Sequence, residues 1–273
     1  MFLRMTAFAA AALTGAIGSA VAAPQNWQIG MQQAASPVMA RIEDFHNELL
    51  TIIVAVCLFV AALLIWVMVR YNRRTNPVPS KTHHNTALEV AWTLLPVAIL
   101  VAIAIPSFRL LYFEAEIPKA DVTIEAIGKQ WFWTYEYPKD GGLQFDSYML
   151  SDAAAAKAGE PRLLGVDHPV IVPVNKVVEI DTTGADVIHS WAVPAFGVKM
   201  DAIPGRINRT WFKATKTGTY YGECSELCGA NHAFMPIEVK VVDEAEYEAW
   251  LKTAKKKFAS TDDPGAARVA ADN

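Results

Sequence analysis

The chain has 273 residues, enough for one or two domains, and 53% of them are hydrophobic, with a mean hydropathy of +0.20. That is high for a purely soluble protein and implies a membrane-embedded part. A formal net charge of −4 and a pI near 5.9 argue against nucleic acid as a partner and leave room for a basic protein.

Residues 1–22 read as a secretory signal peptide. Arg4 is the only charge, an Ala-rich apolar core follows, and Ala20-Val21-Ala22 has the small-x-small form of a cleavage site. The next unit, residues 23–118, is expected to be an N-terminal segment and a transmembrane hairpin. Leu49 to Val69 is uncharged and apolar, and at 1.5 Å per residue its roughly 21 residues cross the ~30 Å hydrocarbon core. Val90 to Phe108 forms the second span, with Pro96 and Pro106 tolerated where neighbouring groups satisfy the freed carbonyls. Arg70, Arg73, Arg74 and Lys81 lie between the spans with no acid before Glu89, so the connecting loop is expected in the cytoplasm and both hairpin ends outside. His83 and His84 in that loop read as solvated.

After Pro118 the pattern turns to β-branched alternation. Val122–Ile127, Val170–Val174, Lys176–Asp181, Arg209–Ala214, Gly218–Gly222 and Ile237–Val242 read as strands, and Asp140-Gly141-Gly142 as a turn. Residues 119–243 are therefore expected to form an all-β sandwich or barrel. Residues 149–163, with Ala153 to Ala156, read as a loop or short helix inserted between strands. Residues 244–273 comprise a C-terminal helix and a tail: Asp243 is a plausible N-cap with Glu246 three residues on, and Lys255-Lys256-Lys257 suit the helix end. The tail from Ala259 has too little apolar matter to pack.

Chemistry concentrates in Cys224-Ser225-Glu226-Leu227-Cys228-Gly229-Ala230-Asn231-His232-Ala233-Phe234-Met235. Two thiols, an imidazole and a thioether form a soft donor set that favours copper over magnesium, calcium or manganese. His189, upstream in Val187-Ile188-His189-Ser190-Trp191, offers a second imidazole of the kind a cupredoxin-like sandwich brings to such a loop. A Cys224–Cys228 disulfide is one alternative, but it would close only a tiny loop and leave His232 and Met235 without a role. Zinc held by two Cys and two His is another, although its structural sites use different spacings and need no Met. One blue copper needs a single Cys, and the surplus thiolate argues for two metals bridged by both sulfurs. Cys57 lies inside an apolar run, and the absence of Cys-x-x-Cys-His leaves no c-type haem attached to the chain.

His189-Ser190-Trp191, Asp201-Ala202-Ile203-Pro204-Gly205-Arg206 and Cys224 through Met235 resemble subunit II of haem-copper cytochrome c oxidases. Gln130-Trp131-Phe132-Trp133 and Leu88-Glu89-Val90-Ala91-Trp92-Thr93 support the resemblance. It implies a two-helix hairpin followed by a cupredoxin-like domain carrying a dinuclear copper centre, CuA. Cys224 and Cys228 would bridge, His189 and His232 would be terminal ligands, Met235 a weak ligand, and the backbone carbonyl of Glu226 would complete the set. The Glu226 side chain is implied as a magnesium ligand at the border with subunit I, a hard oxygen donor suited to that ion. Trp131 is implied as the residue through which electrons enter from cytochrome c, with Trp133, Tyr135 and Tyr137 on the same strand face mostly in the core. Glu136, Asp146, Asp167 and Asp186 are candidate docking acids for a basic cytochrome. Glu89 is implied as the entrance of a proton path into subunit I.

The function implied is the electron-accepting subunit of a proton-pumping terminal oxidase that reduces oxygen to water in subunit I. Subunit III is a further expected partner, and the expected location is a bacterial inner membrane with the copper domain in the periplasm. A quinol oxidase subunit would lack the copper donors, which this chain retains. A membrane-anchored copper-delivery protein would lack the wider match.

Overall fold

The computed structural model describes residues 20–258. The expected signal peptide up to residue 19 and the tail from residue 259 lie outside the described residues. Ala20–Ala22 forms a short strand, β1.

Two long helices follow. Helix α1, Pro37–Arg70, starts at Ser36, whose hydroxyl oxygen accepts the Met39 N–H at 3.0 Å, with Pro37 opening the first turn. The Ser36 hydroxyl also donates to the Phe196 carbonyl at 2.6 Å, so the cap bolts the helix to the following domain. Helix α2, Thr86–Ala115, is capped by Asn85, whose Oδ1 accepts the Leu88 N–H, and it runs through both Pro96 and Pro106. Each helix is long and apolar enough to cross a membrane, and the apolar windows have no cover within the chain. The expected span 49–69 is the C-terminal part of α1, which starts twelve residues earlier, and 90–108 is the interior of α2. Outside them, the Arg41 guanidinium lies 3.4 Å above the Phe113 ring, and the Trp211 indole N–H donates to the Glu114 carbonyl at 3.1 Å.

The rest is a β-sandwich of cupredoxin type. One sheet contains β2 (Val122–Lys129), β3 (Phe132–Tyr137), β4 (Leu143–Ser147), β6 (Val178–Gly184) and β9 (Asn208–Phe212), in the order β4-β3-β2-β6-β9. The other has the order β1-β10-β11-β5, with β5 at Val170–Pro173, β10 at Gly218–Glu223 and β11 at Pro236–Val242. A hairpin of β7 (His189–Val193) and β8 (Val198–Ala202) completes it. Side chains alternate across a strand, so Ile124, Ala126, Trp133, Tyr135, Tyr137, Val178 and Ile180 fall on the buried face with Trp191 and Phe212. Among the described strands, β1, β4, β7 and β8 were not anticipated from the pattern, β1 falling on Ala20-Val21-Ala22, expected as a cleavage site.

The inserted stretch contains helix α3, Asp152–Ala158, capped by Ser151 and closed by left-handed Gly159. Beyond it, Glu160 accepts the Tyr221 hydroxyl and lies 3.3 Å from Lys240 Nζ. The buried Glu238 accepts the Val166 N–H at 2.9 Å, and its other oxygen is 3.1 Å from Lys240. These contacts tie the insertion to β10 and β11. Helix α4, Glu244–Phe258, begins as expected with Asp243 accepting the Glu246 N–H, and Trp250 and Phe258 pack on Tyr137 and Phe145.

Candidate metal centre

The loop 224–235 hangs between two hydrogen-bonded neighbours. Strand β10 ends at Glu223 and β11 begins at Pro236, and these two residues are paired in register. The first and last donors of the loop, Cys224 and Met235, are therefore anchored beside each other. His189 opens β7 and is fully buried, with Ser225 N–H donating to the Ser190 carbonyl across the gap.

The donors converge. The free thiols of Cys224 and Cys228 have sulfurs 3.9 Å apart. That is far beyond the ~2.05 Å of a disulfide. Cys224 Sγ lies 3.9 Å from His189 Nδ1 and 3.4 Å from the Glu226 carbonyl oxygen, while Cys228 Sγ lies 3.6 Å from His232 Nδ1 and 3.5 Å from Met235 Sδ. His189, Cys224 and Cys228 alone form a compact buried group able to hold a metal. All six donors expected from the sequence are thus gathered, and sulfur, imidazole, thioether and carbonyl form a set that suits copper.

Burial resists ionisation at Cys224, but hydrogen bonding to His189 and neighbouring backbone outweighs it and draws the thiol below its ordinary value. Burial and the adjacent Cys224 push the Cys228 thiol above its ordinary value. One sulfur thus gives up its proton readily, and the second gives it up when a cation takes that proton's place.

His189 is oriented from behind. Its Nε2 lies 2.8 Å from Asp186 Oδ1, leaving Nδ1 to face the thiols, the arrangement by which a carboxylate fixes a ligand imidazole. Asp186, expected as a docking acid, also accepts the N–H groups of Gln130 and Val187 at 2.7 Å each. Burial raises its pKa, but the His189 contact and the two N–H groups outweigh burial and hold the carboxyl below its ordinary value. Gly128 lies under the same ring: a Cβ there would sit 2.7 Å from three His189 atoms. A glycine inside a β-branched strand is the sequence signal for such close approach; the contacts of Gln130 have no such local signal.

Trp131 occupies the β2–β3 turn rather than the strand, so it departs from the face shared by Trp133, Tyr135 and Tyr137. It is half-buried, with its ring against Gly229 of the loop and its indole N–H without a partner. The Glu226 side chain is exposed. Glu136 faces Glu125 across the strands, Asp146 accepts the Thr134 hydroxyl, and Asp167 accepts the Tyr148 N–H. Glu89 is remote from this centre, at the other end of α2, where its carboxylate accepts the Asn85 N–H and lies 2.9 Å from His84 Nδ1.

Two family profiles match the chain. Cytochrome C oxidase subunit II, transmembrane domain, covers residues 24–110, and cytochrome C oxidase subunit II, periplasmic domain, covers 122–242. A probable cytochrome c oxidase subunit 2 from Rickettsia bellii is 48% identical over 237 residues, 87% of this chain and 88% of the relative. Cytochrome c oxidase subunit 2 of Cereibacter sphaeroides is 46% identical over 249 residues, 85% of this chain and 82% of the relative. A crystal structure of the periplasmic domain of subunit II of cytochrome oxidase from Bradyrhizobium japonicum is 60% identical, covering 52% of this chain and 99% of that one with a TM-score of 0.49.

Proposed function

The chain belongs to the cytochrome c oxidase subunit II family, and from that premise we propose that it is the electron-accepting subunit of a proton-pumping terminal oxidase. The observation that carries this reading is the gathering of two free thiols, two imidazole Nδ1 atoms, a thioether and a carbonyl on one pinned loop. A dinuclear copper centre held by Cys224, Cys228, His189, His232, Met235 and the Glu226 carbonyl would supply a one-electron store shared over two metals. Strands β10 and β11 hold the loop ends, Asp186 holds the His189 ring, and Gly128 admits it. Donors so fixed have little freedom to rearrange, which favours rapid relay over substrate chemistry.

Trp131, packed on Gly229 within the loop, is the residue through which electrons reach the centre from cytochrome c. Glu136, Asp146 and Asp167 supply negative charge that steers a basic donor at low salt, whereas Asp186 is mainly committed to His189. On the opposite side of the membrane, Glu89 guides protons toward subunit I. The exposed Glu226 carboxylate is the hard oxygen donor that would hold magnesium at the border with that subunit, where oxygen is reduced to water, and subunit III completes the assembly. The location proposed is a bacterial inner membrane with the copper domain in the periplasm.

One preparation of the complex tests both ends of the route. Trp131→Ala is expected to slow reduction by cytochrome c with copper content intact, and Glu89→Ala to slow turnover with the copper spectrum unchanged. Wild-type rates in either variant would remove that residue from the route.

A further inference from the structure

Gln130 touches both arms of the centre without belonging to its donor set. Its backbone N–H donates to Asp186 Oδ2 at 2.7 Å, and that carboxylate holds His189 Nε2 through its other oxygen. Its side-chain Nε2 donates to the Cys228 carbonyl, also at 2.7 Å. Only the amide nitrogen can face a carbonyl oxygen, so the side chain has one productive orientation. The next residue is Trp131, and both side chains close over Gly229: a Cβ there would lie 3.0 Å from Trp131 Cζ2 and 3.1 Å from Gln130 Nε2. Gly229 itself has φ +124, a conformation that residues with a side chain rarely adopt, and the missing Cβ lets the turn lie close on the loop.

We propose that Gln130 is a positioning residue, a clamp that locks the β2–β3 turn onto the Cys228 carbonyl and so fixes the Trp131 indole against the metal loop. Its role is in electron passage after the donor has bound, not in binding the donor. The inference rests on the proposed route through Trp131, but the clamp itself is a property of the chain without metal. Gln130→Glu is the sharpest perturbation, because it keeps the size while setting a carboxylate oxygen against the Cys228 carbonyl.

The test uses the full chain in its complex, with Gln130→Glu and Gln130→Ala. In metal-free protein, hydrogen exchange at the amides of Ser225 and His232, which donate to the Ser190 and Gly229 carbonyls, is expected to accelerate in both variants. In copper-loaded complex, reduction at saturating cytochrome c is expected to fall severalfold, while the concentration of cytochrome for half-saturation stays within about twofold. Unchanged exchange overturns the clamp, whether or not copper is retained. A rise in half-saturation with an unchanged saturating rate makes Gln130 a docking residue and also overturns it. If the wild-type complex binds no copper, the proposed function fails while the exchange measurement still decides the clamp.

Discussion

Gly128→Ala tests how tightly the fold specifies the metal centre. The added methyl would stand 2.7 Å from Cβ, Cγ and Cδ2 of His189, against an ordinary contact of 3.4 Å or more, so the ring would have to retreat by more than half an ångström. The strand cannot give way easily, since β2 is hydrogen-bonded to β3 on one side and β6 on the other. His189 is also hemmed in, being fully buried, held at Nε2 by Asp186 and facing Cys224 with Nδ1. Overpacking of this kind costs about 1–3 kcal/mol, and metal donors tolerate only about 0.2 Å of misplacement. The variant is therefore expected to unfold about 1–3 kcal/mol more easily without metal and to lose copper from the purified complex. Copper analysis, electron paramagnetic resonance and thermal unfolding of the metal-free protein measure these effects. Full copper content with an unaltered spectrum and midpoint would refute the argument from the His189 contact.

Two further substitutions probe the surroundings. Asp186→Asn weakens the acceptor behind His189 Nε2, and loss of such a partner typically lowers metal affinity about 10–100-fold; copper retention against a graded chelator reads it, and a wild-type curve would contradict the orienting role. Glu238 is buried, which raises its pKa despite the Val166 N–H and Lys240, and Glu160 adds to the rise. The folded chain therefore holds this proton to higher pH than the unfolded chain, so this carboxyl's contribution to stability falls as pH rises from about 4.5 through the raised folded value. Glu238→Gln keeps an acceptor for Val166 and is expected to flatten that part of the stability profile, whereas an unchanged slope would show that other groups set it.

The hairpin and the donor loop were legible because each rests on a local signal: an uninterrupted apolar run in one case, soft ligands a few residues apart in the other. Hydrophobicity located the apolar runs and the C-terminal end of α1, but not where α1 begins or how far α2 extends. Helix α1 continues outward through Arg41, Glu43, Asp44 and Glu48, and its true start was written only in the Ser36-Pro37 cap. Strands β7 and β8 escaped for opposite reasons. All five residues of β7 are buried, so it has no alternation, while β8 mixes Lys199, Met200 and Asp201. Trp131 seemed to share a parity with Trp133, but the turn before Phe132 breaks it. Asp186 looked like any surface acid in the sequence. Only the folded turn brings Gln130, Val187 and His189 around its carboxylate, a long-range coincidence that no local pattern records.

The central claim is that Cys224 and Cys228 together hold two coppers that share one electron. Copper counted per chain in the purified complex, together with the electron paramagnetic resonance spectrum of the oxidised centre, tests it most directly. Two coppers of this centre per chain, with hyperfine splitting from both nuclei and loss of that signal in Cys228→Ser, are the predicted result. One copper with splitting from a single nucleus, or a signal that survives loss of Cys228, would contradict the account.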